Sequence, residues 1–383
     1  MTLPAEAPLA SNPARNQGID LLRGVSIVLV ILNHVGLRIP LSHTALASLL
    51  PRRLLVGLNY NGYEAVFVFF VISGFLIANN SLRRWGVLRQ IDLRGFYARR
   101  FARIVPCLVL LIAVLGILDG FGFEDYTIKH ASQSLWRVML AAVGLHLNWY
   151  EGQTGYLPGN WDVLWSLSIE EMFYIGFPLA CLMTQRNRVL IPLLVVLAVS
   201  LPVTRGALHA NEIWQEKAYL PGMAAIATGI LGALLVARAP LPRRYFTVML
   251  CAAATLGLVA VGFFGGTLWS AWRDGYMLLL TFSSLCLITG FHWREQAGWR
   301  RAVPGLGWLR ACGRLSYEIY LTHMFVVYAA VRLFRNLGGD LRTGYLWYVP
   351  ILLLCGLLGW LVARFISMPL DRGLRTVLLK PGT

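Results

Sequence analysis

The chain has 383 residues, 57% of them hydrophobic and 14% charged, with a mean hydropathy of +0.62. This composition excludes an ordinary soluble domain with one core and a polar skin, and describes an all-α polytopic integral membrane protein. The formal charge of +16 sits in short basic runs between apolar stretches, as loop charges do, so it speaks for orientation in a lipid bilayer and not for a nucleic-acid partner.

Residues 1–18 hold no apolar core followed by a small-residue cleavage site, so they are expected to form a cytoplasmic segment without a cleaved signal peptide. Windows long enough to cross a hydrocarbon layer of about 30 Å then predict ten transmembrane helices, over 19–38, 63–80, 101–119, 162–184, 189–204, 218–237, 245–264, 272–291, 312–333 and 345–366. The 128–147 stretch carries Lys129, His130 and Arg137 and is expected as a shorter interfacial or re-entrant helix. With the N-terminus inside, 23 of the 34 Lys and Arg residues fall on cytoplasmic segments and 11 on the opposite face. Among the cytoplasmic set are Arg186, Arg300 and Arg301. The positive-inside bias therefore predicts both termini cytoplasmic, one transmembrane domain over 19–370 and a cytoplasmic tail over 371–383. Six cysteines lie in or beside apolar stretches without metal-ligand spacing; packed free thiols and no metal site are expected.

The first helix carries the first chemical signal. Arg23 and His34 stand eleven residues apart, an advance that leaves them about 20° apart on a helical wheel with about 16 Å of rise between them. Asp20 and Ile27 fall near the same stripe, so one edge offers acid, base and imidazole at increasing depth. Ionisable groups in lipid mark functional sites by default, although Arg23 snorkelling to headgroups and His34 in an interhelical hydrogen bond would explain the same residues structurally. A buried imidazole is a base near neutral pH, able to take a proton from a hydroxyl that attacks a carbonyl.

In the second helix, Ser73-Gly74 permits close helix approach or a local bend. At the start of the third, Arg100 and Arg103 lie one turn apart within a run of basic residues, so two guanidinium forks are placed to meet one polyanion, such as a phosphorylated donor; an ordinary cytoplasmic flank would also carry them. The outward loop holds Trp136, His146, Trp149, Tyr150, Tyr156 and Trp161, for which an interfacial aromatic belt is the default over sugar stacking. The fourth helix opens with Trp165-Ser166-Leu167-Ser168-Ile169-Glu170-Glu171-Met172-Phe173-Tyr174. Two adjacent carboxylates in an apolar helix must pair or work; pointing about 100° apart, one can face the His34 cavity while the other takes an arginine. Which does which stays open. In the ninth helix His323 is expected to be satisfied by Tyr317, Tyr320 and Thr322, a structural role preferred over a second functional imidazole.

Together these segments resemble the membrane-bound acyltransferase-3 family, O-acyltransferases of surface glycans and some small molecules. The Asp20-x-Leu22-Arg23 opening and the Arg23-to-His34 spacing match its first helix, and Phe69-Phe70-Val71-Ile72-Ser73-Gly74-Phe75-Leu76-Ile77 its second. Arg100-x-x-Arg103, Trp165 to Tyr174 and Gly313 to His323 match its third, fourth and ninth. Two departures stand out. Phe67 occupies a place where the family often has an acid, with Glu64 one turn earlier, and Ser367 precedes Met368-Pro369 where the family often has an acid before proline. One branch of the family carries a fused extracytoplasmic domain; this chain resembles the stand-alone branch.

The resemblance implies transfer of an acyl group, acetyl by default, from cytoplasmic acyl-CoA to a hydroxyl of a carbohydrate or glycosylated acceptor, in a bacterial inner membrane. Acyl-CoA is then a co-substrate and no cofactor is held permanently. His34 is expected as general base with Arg23 in support, Glu170 or Glu171 as the polarising or acceptor-positioning carboxylate, Arg100, Arg103 and Asp20 on the donor side, and Ser73 and His323 as neighbours of the site. The alternative from another class is a carrier or flippase for a lipid-linked sugar or other anionic substrate.

Overall fold

A computed structural model of the chain describes residues 15–184, 187–299 and 304–380. Most of segment 1–18, together with Arg186, Arg300, Arg301 and the last three residues of the tail, lies outside the described residues. A helix occupies each predicted window: α1 Gln17–Gly36, α2 Gly62–Trp85, α3 Leu93–Gly120, α4 Trp165–Thr184, α5 Asn187–Val199, α6 Tyr219–Val236, α7 Arg244–Trp272, α8 Tyr276–Gln296, α9 Ser316–Asn336 and α10 Tyr348–Val362. No strand occurs among the described residues. Seven helical stretches are long and apolar enough to cross a membrane; one of them, Arg244–Gln296, contains both α7 and α8. The amphipathic α9 and the short α5 are not among the seven.

Local chemistry explains the boundaries. Asn16 caps α1 by accepting from the backbone N–H groups of Gly18 and Ile19, and Asp92 caps α3 through Gly95. The 189–204 window is not one helix: α5 stops at Val199 and a separate turn, Leu201–Gly206, follows. Nor is the end of α10 plain α-helix, because Ala363–Ser367 forms a wide π-type turn before Met368–Leu378 resumes. The 128–147 stretch yields only Leu135–Val143 as its first helix; nine residues rise about 14 Å, too little to span, in accord with an interfacial or re-entrant element.

The helices approach closely where side chains vanish. A Cβ on Gly24 would lie 1.9 Å from the Leu309 carbonyl oxygen, and one on Gly313 would lie 1.8 Å from that of Asp20, so α1 rests backbone to backbone on the short helix Gly307–Arg314. Gly74 and Gly229 do the same for α2 against α6. Small residues at such crossings are the usual membrane solution, because dispersion contacts replace the absent hydrophobic drive between helices.

Buried apolar side chains form two clusters. The larger joins α1, α2, α6, α8, α9 and α10, and the smaller packs α3 against the 135–164 segment. Helices α4 and α9 contribute to both: Ile169 and Ile319 lie in the first, Leu167 and Leu321 in the second. The seam along α4 and α9 is where the ionisable residues collect.

Candidate active site

The stripe on α1 faces α9. The Arg23 guanidinium donates to Ser316 Oγ through Nε at 3.1 Å and Nη2 at 2.8 Å. The His34 ring lies 5.2 Å, centroid to centroid, from that of His323. The wheel argument therefore holds for this pair of residues, both of which meet the same neighbouring helix. Asp20, also buried, accepts from Arg15 Nε at 2.8 Å.

His323 has a defined tautomer. Its Nδ1 lies 2.7 Å from the Tyr320 carbonyl oxygen and 3.2 Å from that of Ile319. Carbonyls only accept, so the proton sits on Nδ1 and the lone pair on Nε2. That Nε2 is buried with no hydrogen-bond partner among the described residues. The three side chains expected to satisfy this ring do otherwise. Tyr317 donates to the Ile104 carbonyl at 2.9 Å, Tyr320 shares its hydroxyl with Ser166 Oγ at 2.7 Å and the Val163 carbonyl at 2.8 Å, and Thr322 donates to the Glu318 carbonyl at 2.8 Å. Backbone oxygens, which no side-chain pattern reveals, do that work.

Beyond His34, Arg38 donates to the His34 carbonyl at 2.8 Å and to Tyr328 Oη at 3.1 Å, with its guanidinium 4.7 Å from the Tyr328 ring centroid. The Gly159 N–H donates to the same Tyr328 oxygen at 3.0 Å. Lys217, which the sequence places merely among outward loop charges, is buried; it reaches Glu151 Oε2 at 3.1 Å and also contacts Asp162. Trp161 is fully buried in the smaller cluster, so it is not part of an interfacial belt, whereas Trp136 and Trp149 are exposed.

The carboxylates on α4 divide their roles. Glu171 Oε1 accepts from Arg100 Nη2 at 2.8 Å, while Glu170 lies 3.7 Å from the same nitrogen. Glu170 Oε1 instead takes the Tyr174 hydroxyl at 2.6 Å and a contact from Ser73 Oγ. The Arg100 guanidinium covers the Tyr174 ring, 3.6 Å from its centroid. Arg103 turns elsewhere: its Nη1 pairs with Glu318 Oε1 at 2.8 Å and donates to Ser367 Oγ at 3.0 Å, and Ser367 in turn donates to Glu318 at 2.7 Å. The two forks thus each hold a separate carboxylate, yet 27% of the Arg100 side chain and 30% of the Arg103 side chain stay exposed, leaving both open to a further anion. Glu64 accepts from Tyr276 Oη at 3.2 Å.

Sequence reasoning missed Tyr174, Ser316, Glu318 and Ser367 as members of this network. Tyr174 was detectable as the i+4 neighbour of Glu170, and Glu318 as an intramembrane carboxylate. Ser316 and Ser367 carry no such signal, because a serine is at home in any membrane helix. No group of three or more His, Cys, Asp or Glu residues able to hold a metal occurs among the described residues.

An imidazole pair with one lone pair unpartnered among the described residues, an arginine on the same edge of α1, and a seam of paired carboxylates ending at Arg100 and Arg103 lie together in the bundle. The acyltransferase-3 family model, described as an acyltransferase domain, matches residues 16–365. The chain belongs to this family. Among curated proteins it is similar to the peptidoglycan O-acetyltransferase OatA of Listeria monocytogenes, 34% identical over 165 residues, which are 42% of this chain and 25% of that protein. It is also similar to the O-acetyltransferase OatA of Staphylococcus aureus, 28% identical over 179 residues, 44% of this chain and 25% of that one. The matched part is thus about a quarter of the length of these relatives. No solved structure matches the chain.

Proposed function

We propose that this chain is a multi-pass O-acyltransferase of a bacterial inner membrane, moving an acyl group, acetyl by default, from cytoplasmic acyl-CoA to a hydroxyl of a carbohydrate or glycosylated acceptor. The observation that carries the proposal is the His34–His323 pair on the edge of α1 that also presents Arg23, within a chain of this family. The names of the relatives support acetyl as the group and a carbohydrate polymer as the class of acceptor.

His34 serves as general base. It takes the acceptor hydroxyl's proton as that oxygen bonds to the thioester carbonyl carbon; the carbon–sulfur bond breaks, and the leaving thiolate recovers the proton from the imidazolium as free CoA thiol. Arg23 supports the reacting groups, and Glu170, held by Tyr174 and beside Ser73, positions the acceptor. The open sides of Arg100 and Arg103 receive the CoA phosphates, with the pantetheine arm reaching inward by about the 16 Å that separates Arg23 from His34 along the helix. The donor is a co-substrate that comes and goes with each turnover.

Two measurements test this. Acetyl-CoA is expected to raise the melting temperature of the detergent-purified protein more than CoA does, and the double substitution Arg100→Lys/Arg103→Lys, which keeps charge and loses the forks, is expected to reduce that rise. Membranes containing the protein are expected to transfer label from acetyl-CoA to a glycan acceptor, and His34→Ala at normal abundance is expected to abolish it. Undiminished transfer by His34→Ala would remove His34 as the base; no stabilisation by any acyl-CoA would turn the assignment towards a carrier.

A further inference from the structure

At the end of the bundle where α1 finishes and α2 begins, a cavity of about 750 Å³ opens between the short helix Arg52–Asn59, the first turn of α2, the last part of α7 and the start of α8. Its shape follows from a break in α7. Phe264 leaves helical geometry at φ −125° and ψ 18°, and Gly265 and Gly266 beyond it put no side chain into the space; a Cβ on either would meet nothing within 4 Å. Tyr60 and Trp269, both partly exposed, stand along the walls.

The rim is cationic. Arg52 and Arg53 line the opening, and Arg273 stacks its guanidinium 4.4 Å from the Trp269 ring centroid. None of the three is ion-paired to a carboxylate among the described residues. Arg53 is held over the Phe264 ring at 5.3 Å, at the break itself. Glu64 is the one carboxylate lining the cavity, and it is engaged by Tyr276 at the floor. Arg100, Arg103 and Arg205 each hold a carboxylate, and Arg23 holds the Ser316 hydroxyl. The exposed guanidiniums of Arg52 and Arg53 thus keep open sides, and a cleft with aromatic and glycine walls lies beneath them.

We propose that this groove holds a phosphate-headed lipid from the adjoining leaflet, its phosphate on Arg52 and Arg53 and its upper chain against Trp269 and the glycine face of α7. The guanidinium fork matches a phosphate bidentately, which a carboxylate-free rim leaves available. The volume suits a headgroup and the first part of a chain, and excludes a folded partner. Helix α7 is peripheral: only 11% of the apolar window in the Arg244–Gln296 stretch is buried, against 72% for the window that includes α6, so lipid has access to this side of the bundle. The site is separate from the His34–His323 pair and stands or falls independently of the acyl-transfer proposal.

The experiment is lipid titration of the detergent-purified full chain, read by native mass spectrometry and thermal shift. Phosphatidylglycerol is expected to give a one-to-one adduct and raise the melting temperature, while diacylglycerol with the same chains and inorganic phosphate alone give neither. Arg52→Gln/Arg53→Gln is expected to weaken phosphatidylglycerol binding at least tenfold, and Gly265→Phe, which fills the groove and leaves the arginines intact, to abolish the adduct. Arg335→Gln/Arg342→Gln, on the same end of the bundle but away from the groove, is expected to change nothing. Equal stabilisation by diacylglycerol, binding of inorganic phosphate as tight as that of the lipid, equal loss in the control pair, or an undiminished adduct with Gly265→Phe would each overturn the site.

Discussion

Two polar regions share the α4–α9 seam, and they solve burial in opposite ways. In the carboxylate network, Glu171 and Glu318 each hold a guanidinium at 2.8 Å, Ser367 donates to Glu318 and Tyr174 donates to the neighbouring Glu170. At the imidazole pair, the two rings merely lie against one another and His323 Nε2 has no partner among the described residues. The contrast teaches that permanent charges in an apolar interior must be neutralised by neighbours, because an isolated ion there is too costly. An imidazole can shed its charge instead, so its lone pair can stay unpartnered and available for a proton. Paired permanent charges and the unpartnered imidazole nitrogen are thereby separated by residue type.

The sharpest way to break that division is His34→Ala. It is expected to lower acyl transfer by about 10²- to 10⁴-fold, the range for a lost general base, with membrane abundance and melting temperature unchanged; an equal loss of stability would make His34 a structural residue. Arg100→Ala attacks the other region. Removal of one partner of a buried pair is expected to destabilise the fold by about 3 kcal/mol, and adding Glu171→Ala should recover part of it, measured as a double-mutant cycle of thermal unfolding in detergent. If Arg100→Ala alone leaves the melting temperature in place, the network is not what holds α3 to α4. Gly74→Ala tests the apolar frame around both regions: its Cβ would fall 1.9 Å from the Ile226 carbonyl oxygen, and a cost of about 1–3 kcal/mol is expected from overpacking. The smallest effect belongs to Arg15→Ala, whose partner Asp20 is buried but whose own side chain is 52% exposed; a change below about 1 kcal/mol is expected.

Much of the frame was legible because hydropathy and helical periodicity are local properties. Every predicted window holds a helix, and the eleven-residue spacing of Arg23 and His34 does turn both towards one neighbour. Of the adjacent Glu170 and Glu171, one was expected to take an arginine, and Glu171 holds Arg100 at 2.8 Å, while Glu170 takes the Tyr174 hydroxyl and lies 3.7 Å from the same arginine. Local patterns failed where the partner is remote in sequence. Nothing near Arg103 points to Ser367, 264 positions away, nor does anything near Lys217 reveal Glu151 beneath the outward loops. Trp161 looked like an interfacial aromatic and is core, since a tryptophan's burial depends on what folds over it. The broken windows at Ser200 and Ala363–Ser367 were invisible to a hydropathy average, which counts apolar residues and not hydrogen bonds.

By itself, the sequence determined the solvent of this protein, the places of its helices, the family it belongs to and the short list of residues that carry charge into lipid. These follow from composition and from intervals of three, four and eleven residues, which a helix converts into shared faces. Tertiary structure alone decided which of those charges neutralise one another, that backbone carbonyls set the His323 tautomer, and that, among the described residues, His323 Nε2 has no partner and the three arginines beside the break in α7 have no carboxylate. The reason is physical: an ion pair or a tautomer is set by distances of about 3 Å between helices remote in sequence, and those distances exist only once the helices have packed.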